Sequence, residues 1–308
     1  MNRTYFFALL ALMTGCGIAV SLGQADPNVS LDSAREIWAD ILRDSDEFGL
    51  HATRVPVAKE LELGREIAAQ MPHEESDAAF EKDEKYIEAV GAGLTPYVNR
   101  KTIPYHFHVI RSSAINAFAI PGGHVYVYTG LLDFLQSEAE LAAILGHEIS
   151  HVDLRHCIER YQYEAKFKKA GAPELGWIVE VAHRLVTHAF SPEQELEADA
   201  QGERLSIESG YDPDAAAGLF ARMQAHFHEP PRVQANTPAG EAAQAAGEAI
   251  ESYFRTHPPS EERVRKLNGM VARHRRELAG RAFYVGKRNL EERVPRSSRT
   301  FPDEYRRF

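Results

Sequence analysis

Cysteine, long apolar runs and positive charge are all scarce in this sequence. Two cysteines among 308 residues exclude a disulfide-built scaffold. After residue 25 no run of roughly 18 apolar residues occurs, which excludes a multi-span membrane protein. A formal net charge of −10 argues against generic attraction to nucleic acid, and no such partner is expected. What remains is ordinary for a folded chain, with 44% hydrophobic and 26% charged residues. The charge is uneven: residues 263–308 carry 14 Lys and Arg against 5 Asp and Glu, a balance of +9 that leaves −19 on residues 1–262. Such a basic segment can lie solvated, dock on the acidic body, or touch an anionic surface.

The first residues have the layout of an export signal. Arg3 precedes an apolar stretch from Tyr5 to Leu12 that continues more weakly to Leu22. Three outcomes stay open. Met13-Thr14-Gly15-Cys16 resembles a lipoprotein box, in which Cys16 is lipidated and becomes the N-terminus. Cleavage after Gly23-Gln24-Ala25 is the second, and an uncleaved anchor the third. The expected location is the periplasm, free or membrane-anchored through an N-terminal lipid or anchor. Either cleavage leaves Cys157 as the one ordinary thiol, expected to be buried and inert.

Along the chain, helices are expected at Ser33–Arg43, Val57–Gln70 and Asp83–Arg100. An extended segment at Pro104–Ile110 presents Tyr105, Phe107 and Val109 on one face. Two short apolar strands then flank Pro121-Gly122-Gly123, the turn chemistry of a hairpin. From Ser137 the period becomes helical, with Ser137 and Glu140 as a capping box and Leu141, Leu145, Ile149 and Val152 as the apolar stripe. Another helix is expected over 175–188. Ser191, Pro192 and Gln194 then open a helix that runs to Gly210. Asp212-Pro213 opens a further one, residues 229–248 read as a Pro/Ala/Gly-rich insertion, and Ser260 caps a helix ending near Gly280. The organisation read from this is a signal at 1–25, one mostly helical α+β domain over 30–280, and a basic tail at 281–308.

His147-Glu148-Ile149-Ser150-His151 carries the chemistry. A four-residue helical step turns about 400°, so the two imidazoles sit one turn apart within about 40°. They can share one zinc ion, and Glu148 lies beside that point, free to act on an attacking water. A catalytic zinc needs a third protein ligand and one open position. The metzincin pattern would place Gly and His where Leu154 and Cys157 stand, so that solution is excluded. His156 is no substitute: five residues past His151, it points about 140° away. The other common solution is a glutamate from a second helix. Glu195 and Asp199 share a face of the helix opened by Ser191, with Glu195 as the ligand and Asp199 placed to bond a ligand histidine or stand by the oxyanion. Glu197 points elsewhere, towards solvent.

HEISHVDLRH followed by ELEAD resembles the HtpX-like and CAAX-prenyl-protease family of zinc metallopeptidases. NAFAIPGGHVYVYTGLL resembles its strand–Gly-Gly–strand element, AKELELGREIAAQ and YIEAVGAGL its N-terminal helices, and THPPSEERVRKL its C-terminal segment. The likeness covers roughly residues 55–270. It implies a zincin-like domain in which His147, His151 and Glu195 bind one Zn²⁺ per chain, Glu148 is the base and Asp199 assists. It also implies the soluble, exported branch, acting on misfolded envelope proteins. The pattern's Ser-Arg before the ExxxD helix is Ser191-Pro192 here.

Three further expectations follow from the residues. Asn116, Ala117, Phe118 and Ala119 can form an edge strand that holds an extended substrate by β-augmentation, or an ordinary core hairpin. His257 can take the fourth zinc position and close the site, or be a structural loop residue. His106, His108, His124, His183 and His188 lack ligand spacing and read as structural. The rival class is a chaperone-like or scaffold lipoprotein with a structural zinc that binds clients uncut. Intact-mass spectrometry of the exported chain is expected to find a lipid-bearing N-terminus at Cys16. A chain beginning at Asp26 would select the second outcome.

Overall fold

A computed structural model describes residues 54–71, 76–168, 189–228, 253–258 and 261–307. The export signal, the helices expected at 33–43 and 175–188, the 229–248 segment, Ser260, His183 and His188 lie outside the described residues. In chain order the elements are α1 (Val57–Ala68), α2 (Ala78–Leu94), β1 (His106–Ile110), β2 (Ala117–Ile120), β3 (His124–Tyr128), α3 (Thr129–Phe134) and α4 (Glu138–Asp153). They continue with α5 (His156–Lys168), α6 (Pro192–Glu208), α7 (Ala215–His228), α8 (Glu261–Glu277), β4 (Ala282–Tyr284), α9 (Lys287–Glu292) and β5 (Tyr305–Arg307). The mostly helical α+β architecture is the one the sequence pattern implies. Among the described residues no helix is long and apolar enough to cross a membrane.

The second helix starts five residues before its expected boundary. Asp77 Oδ1 accepts from the N–H groups of Ala79 and Phe80, satisfying two donors of the first turn. After Leu94 a short 3₁₀ turn at Thr95–Tyr97 replaces the expected last turn. In the sheet, β3 lies between β1 and β2, parallel to the first and antiparallel to the second. The hairpin turns through Gly122 and Gly123, whose φ values of 84° and 93° suit glycine. His108 and His124 face each other across β1 and β3, Nε2 to Nδ1 at 3.0 Å, as part of the sheet.

Helix α4 runs through the middle, and each of its residues is buried. Ser137 caps it as expected, accepting from Glu140 N–H. The Glu140 carboxylate instead accepts from Gln136 N–H at 2.7 Å and pairs with Arg222, so only half of the capping box forms. Two further first-turn donors, the N–H groups of Glu138 and Ala139, are taken by the carbonyls of Gly286 and Val285. The basic segment therefore docks on the body: β4 pairs with β5, and Arg293 and Arg306 reach Asp83 and Asp212. Cys157 is fully buried, its thiol pushed well up by burial, as an inert residue requires.

Glu60 of α1 is a buried charge that ties three segments together. It accepts from Arg100 through both oxygens and lies 3.8 Å from Arg155 in the turn after α4. Removing one partner of such a set strands the others, at about 3–5 kcal/mol. Glu60→Ala is expected to lower the unfolding free energy by about that amount, measured by urea denaturation. A loss under about 1 kcal/mol would show that water reaches the two guanidiniums.

Candidate metal centre

The spacing of His147 and His151 places both rings on one face of α4, with Nε2 atoms 3.1 Å apart. Helix α6 runs antiparallel across that face, with Glu195 near His151, Asp199 near His147, and Ser206 Oγ donating to Ala142 O at 3.1 Å. The backbones meet at Gly146 and Gly202. A Cβ on Gly202 would stand 2.7 Å from His147 N, and one on Gly146 2.7 Å from Gly202 O. Two turns back from Gly202, on the same face, is Glu195.

His147, His151, Glu195 and His257 form a group that can hold a metal ion, one ligand atom of each lying within 4.8 Å of the others. Glu195 lies 3.5 Å from each of the two helix imidazoles, and His257 Nδ1 is 3.0 Å from Glu195 Oε1 and 3.2 Å from His147 Nε2. Four donors at about 2.1 Å from a tetrahedral centre stand about 3.4 Å apart, so this set fits one such ion.

The tautomers point the same way. His147 Nδ1 is 2.9 Å from Asp199 Oδ1, so Nδ1 carries an N–H and Nε2 is the ring atom turned to the donor set. Burial opposes charge on His147, yet Asp199 and Glu195 outweigh it and push the ring up to about 10. On His151, burial and the neighbouring His147 push the other way, well below the ordinary value. Glu195 stays ionised against its burial because His257 and Arg263 hold its pKa well down. The site thus favours positive charge beside its buried carboxylate, which a bound cation would supply in place of the His147 ring proton.

Glu148 is fully buried, and no side chain hydrogen-bonds either of its carboxylate oxygens; the Ala119 N–H is the backbone donor turned towards it. Burial, foremost, raises its carboxyl above the ordinary range. His257 Nε2 stands 3.3 Å from Oε1 but is not aligned to bond it. Residues Asn116–Ala119 are all buried, and β2, at the sheet edge, pairs only with β3 among the described residues. Thr256, next to His257, donates to the Asn116 carboxamide at 3.4 Å, so one short segment touches both the strand and the donor set.

Two contributors escaped the sequence reading and a third was misplaced by it. Arg263, 1% exposed, grips Asp199 through Nε and Nη2 at 2.8 and 2.9 Å and Glu195 through Nη1 at 2.8 Å. Its signal was only its place within THPPSEERVRKL. Phe190 stacks on the His151 ring with centroids 3.8 Å apart. His156 lies behind the metal face: its Nδ1 is 3.0 Å from His151 Nδ1, and its Nε2 is 3.1 Å from the exposed Glu197. It is no member of the donor group, though not for the expected reason. Helix α4 ends at Asp153, and Arg155 at φ 73° turns the chain so that His156 comes back under His151.

Residues 81–271, more than half of the chain, match the pattern of peptidase family M48. The chain is 30% identical over 191 residues to the mitochondrial metalloendopeptidase OMA1 of Schizosaccharomyces pombe, covering 59% of this chain and 51% of that protein. It is 30% identical over 178 residues to the beta-barrel assembly-enhancing protease of Escherichia coli, covering 51% and 37%. Against the metalloprotease YcaL of Escherichia coli it is 24% identical over 274 residues, covering 85% and 93%. The chain thus spans about half or less of the length of the first two.

Gly202→Ala tests whether helix approach sets the donor spacing. The added methyl must push α6 off α4, and the expected result is at least a tenfold loss of metal affinity in competition with a chromogenic chelator. The accompanying loss of stability should be about 1–3 kcal/mol. Unchanged affinity would show that Glu195 reaches the histidines from a wider helix spacing.

Proposed function

The chain belongs to peptidase family M48, and on that premise we propose that it is a zinc metalloendopeptidase acting on unfolded or misfolded cell-envelope proteins. The observation that carries the reading is Glu148: a buried carboxylate that no side chain hydrogen-bonds, beside a donor set suited to a cation. A purely structural centre has no use for it. His147, His151 and Glu195 would hold the Zn²⁺, one per chain. Bound zinc supplies Lewis-acid polarisation of the scissile carbonyl and brings the pKa of the attacking water towards about 7.

The protein's own groups do the rest. Glu148 takes the proton from the attacking water and returns it to the leaving amine, which is why it stands beside the donor set rather than within it. Asp199 fixes the His147 tautomer, and Arg263 fixes Asp199 and Glu195 together. Asn116, Ala117, Phe118 and Ala119 are the backbone edge on which an extended substrate would lie, which favours locally unfolded chains over a strict sequence motif. His257 completes the donor set from a different segment, so substrate and water gain access when it withdraws. Signal processing, with lipidation at Cys16 or cleavage after Ala25, would deliver the enzyme to the periplasm or its membrane surface.

The rival reading, a chaperone-like or scaffold lipoprotein with a structural zinc, draws on His257, because four protein donors make the closed set of structural sites. Incubating casein or a misfolded envelope protein with wild type, Glu148→Gln and chelator-treated protein separates the two. Under the peptidase reading Glu148→Gln keeps its zinc but loses about 10²–10⁴-fold in kcat/KM, and the chelator abolishes cleavage. Substrate left uncut by all three would favour the binding protein. His257→Ala is expected to raise proteolysis several-fold at equal zinc content; unchanged or lower activity would make it a structural residue.

A further inference from the structure

The two helix imidazoles are held from behind in different ways. His147 Nδ1 meets a carboxylate directly, Asp199 Oδ1 at 2.9 Å. His151 Nδ1 meets another imidazole, His156 Nδ1 at 3.0 Å, and His156 Nε2 stands 3.1 Å from Glu197 Oε2. His151 and His156 are both buried, whereas the Glu197 side chain is 63% exposed. Glu195 and Glu197 are two residues apart on α6, about 200° round the helix. That helix therefore reaches His151 from two sides. Glu195 Oε1 lies 3.5 Å from its Nε2, and Glu197 stands behind its Nδ1 with His156 between. Phe190 covers the face of the His151 ring, and His156 meets that ring edge-on. The turn that brings His156 there is unfavourable in itself. Arg155 has φ 73°, a left-handed conformation that crowds a residue with a Cβ. Its guanidinium donates to Val55 O at 3.2 Å and lies 3.8 Å from the buried Glu60, which pins the turn against α1 and the residues before it. Strain held in place by such surroundings marks a position where orientation matters.

We propose that His156 is a positioning residue of the metal centre, accepting from His151 Nδ1–H and donating from its own Nε2–H to Glu197. It does for His151, through a ring, what Asp199 does directly for His147. The proposal rests on the zinc peptidase reading above and adds a residue to it. With His151 Nε2 turned to the ion, the proton of that ring is on Nδ1 and needs an acceptor, which His156 Nδ1 supplies. His156 is thereby fixed as the Nε2–H tautomer, and Glu197 takes that N–H. A ligand histidine anchored through its second nitrogen keeps its ring at the angle the metal requires. The charge at the end of this chain stays at the surface, so no further carboxylate has to be buried beside Glu148, Glu195 and Asp199.

Three substitutions in the full chain test this. His156→Phe keeps a ring and removes the acceptor, and His156→Asn puts a carboxamide oxygen near the place of Nδ1. Glu197→Ala cuts the outer link at the surface, which guards against a His156 variant that fails to fold. Zinc affinity is read by competition with a chromogenic chelator, and the tautomers by long-range ¹H–¹⁵N correlation spectra of the zinc-loaded wild type. The expected result is binding about 10–100-fold weaker in His156→Phe, most of that loss recovered in His156→Asn, and a several-fold loss in Glu197→Ala. The spectra should show His151 protonated at Nδ1 and His156 at Nε2. Wild-type affinity in either His156→Phe or Glu197→Ala overturns the proposal. So does a His156→Asn variant as weak as His156→Phe, because the residue then acts by its shape, and so does a proton on His156 Nδ1. A loss restored by asparagine in a chain that cuts no casein would leave the positioning role standing and remove the peptidase reading. Casein cleavage with undiminished zinc affinity in His156→Phe would do the reverse.

Discussion

The contact between Gly146 and Gly202 sets the geometry on which the rest depends. Two helices that meet backbone to backbone bring their side chains together at a fixed depth, and both glycines stand where no Cβ fits. Gly146 precedes His147, and Gly202 is two turns from Glu195, so one close approach sets the separation of rings and carboxylate. The antiparallel course of α6 then places Asp199 on the other nitrogen of His147. Ligand and orienting group come from one helical face because 195 and 199 are one turn apart.

Charge is the second constraint. Glu195, Asp199 and Glu148 are all buried or nearly so, and Arg263 balances the first two with a planar fork that a lysine would not reproduce. Glu148 is left outside that balance. The protein thus satisfies the acids that hold and orient, and leaves without a side-chain partner the one that stands where a proton can be moved.

What was legible in the sequence was local. Helical periodicity brings His147 and His151 together and Glu195 and Asp199 together, since each pair spans one turn of one helix. Pro121-Gly122-Gly123 announces the hairpin because the turn needs positive φ. Joining the two helices took the wider likeness of the motifs, since no periodicity says which helix faces which. Arg263, Phe190 and His156 were hidden for related reasons. Arg263 reads as one more charge on a solvated helix until α8 packs on α6. His156 was misplaced by extending α4 through a turn that only Arg155's left-handed backbone reveals. Glu140 had the right spacing for a capping box, but Arg222 and the Gln136 N–H claimed its carboxylate.

The carbonyls of Val285 and Gly286, which close the first turn of α4, belong to residues made long after that helix. A nascent chain therefore carries its histidine pair well before the helix bearing it has a finished end. Any contact of such long sequence separation forms late and slowly. The order of synthesis thereby leaves the helix that bears the pair without two of its backbone partners until the C-terminal segment has been made.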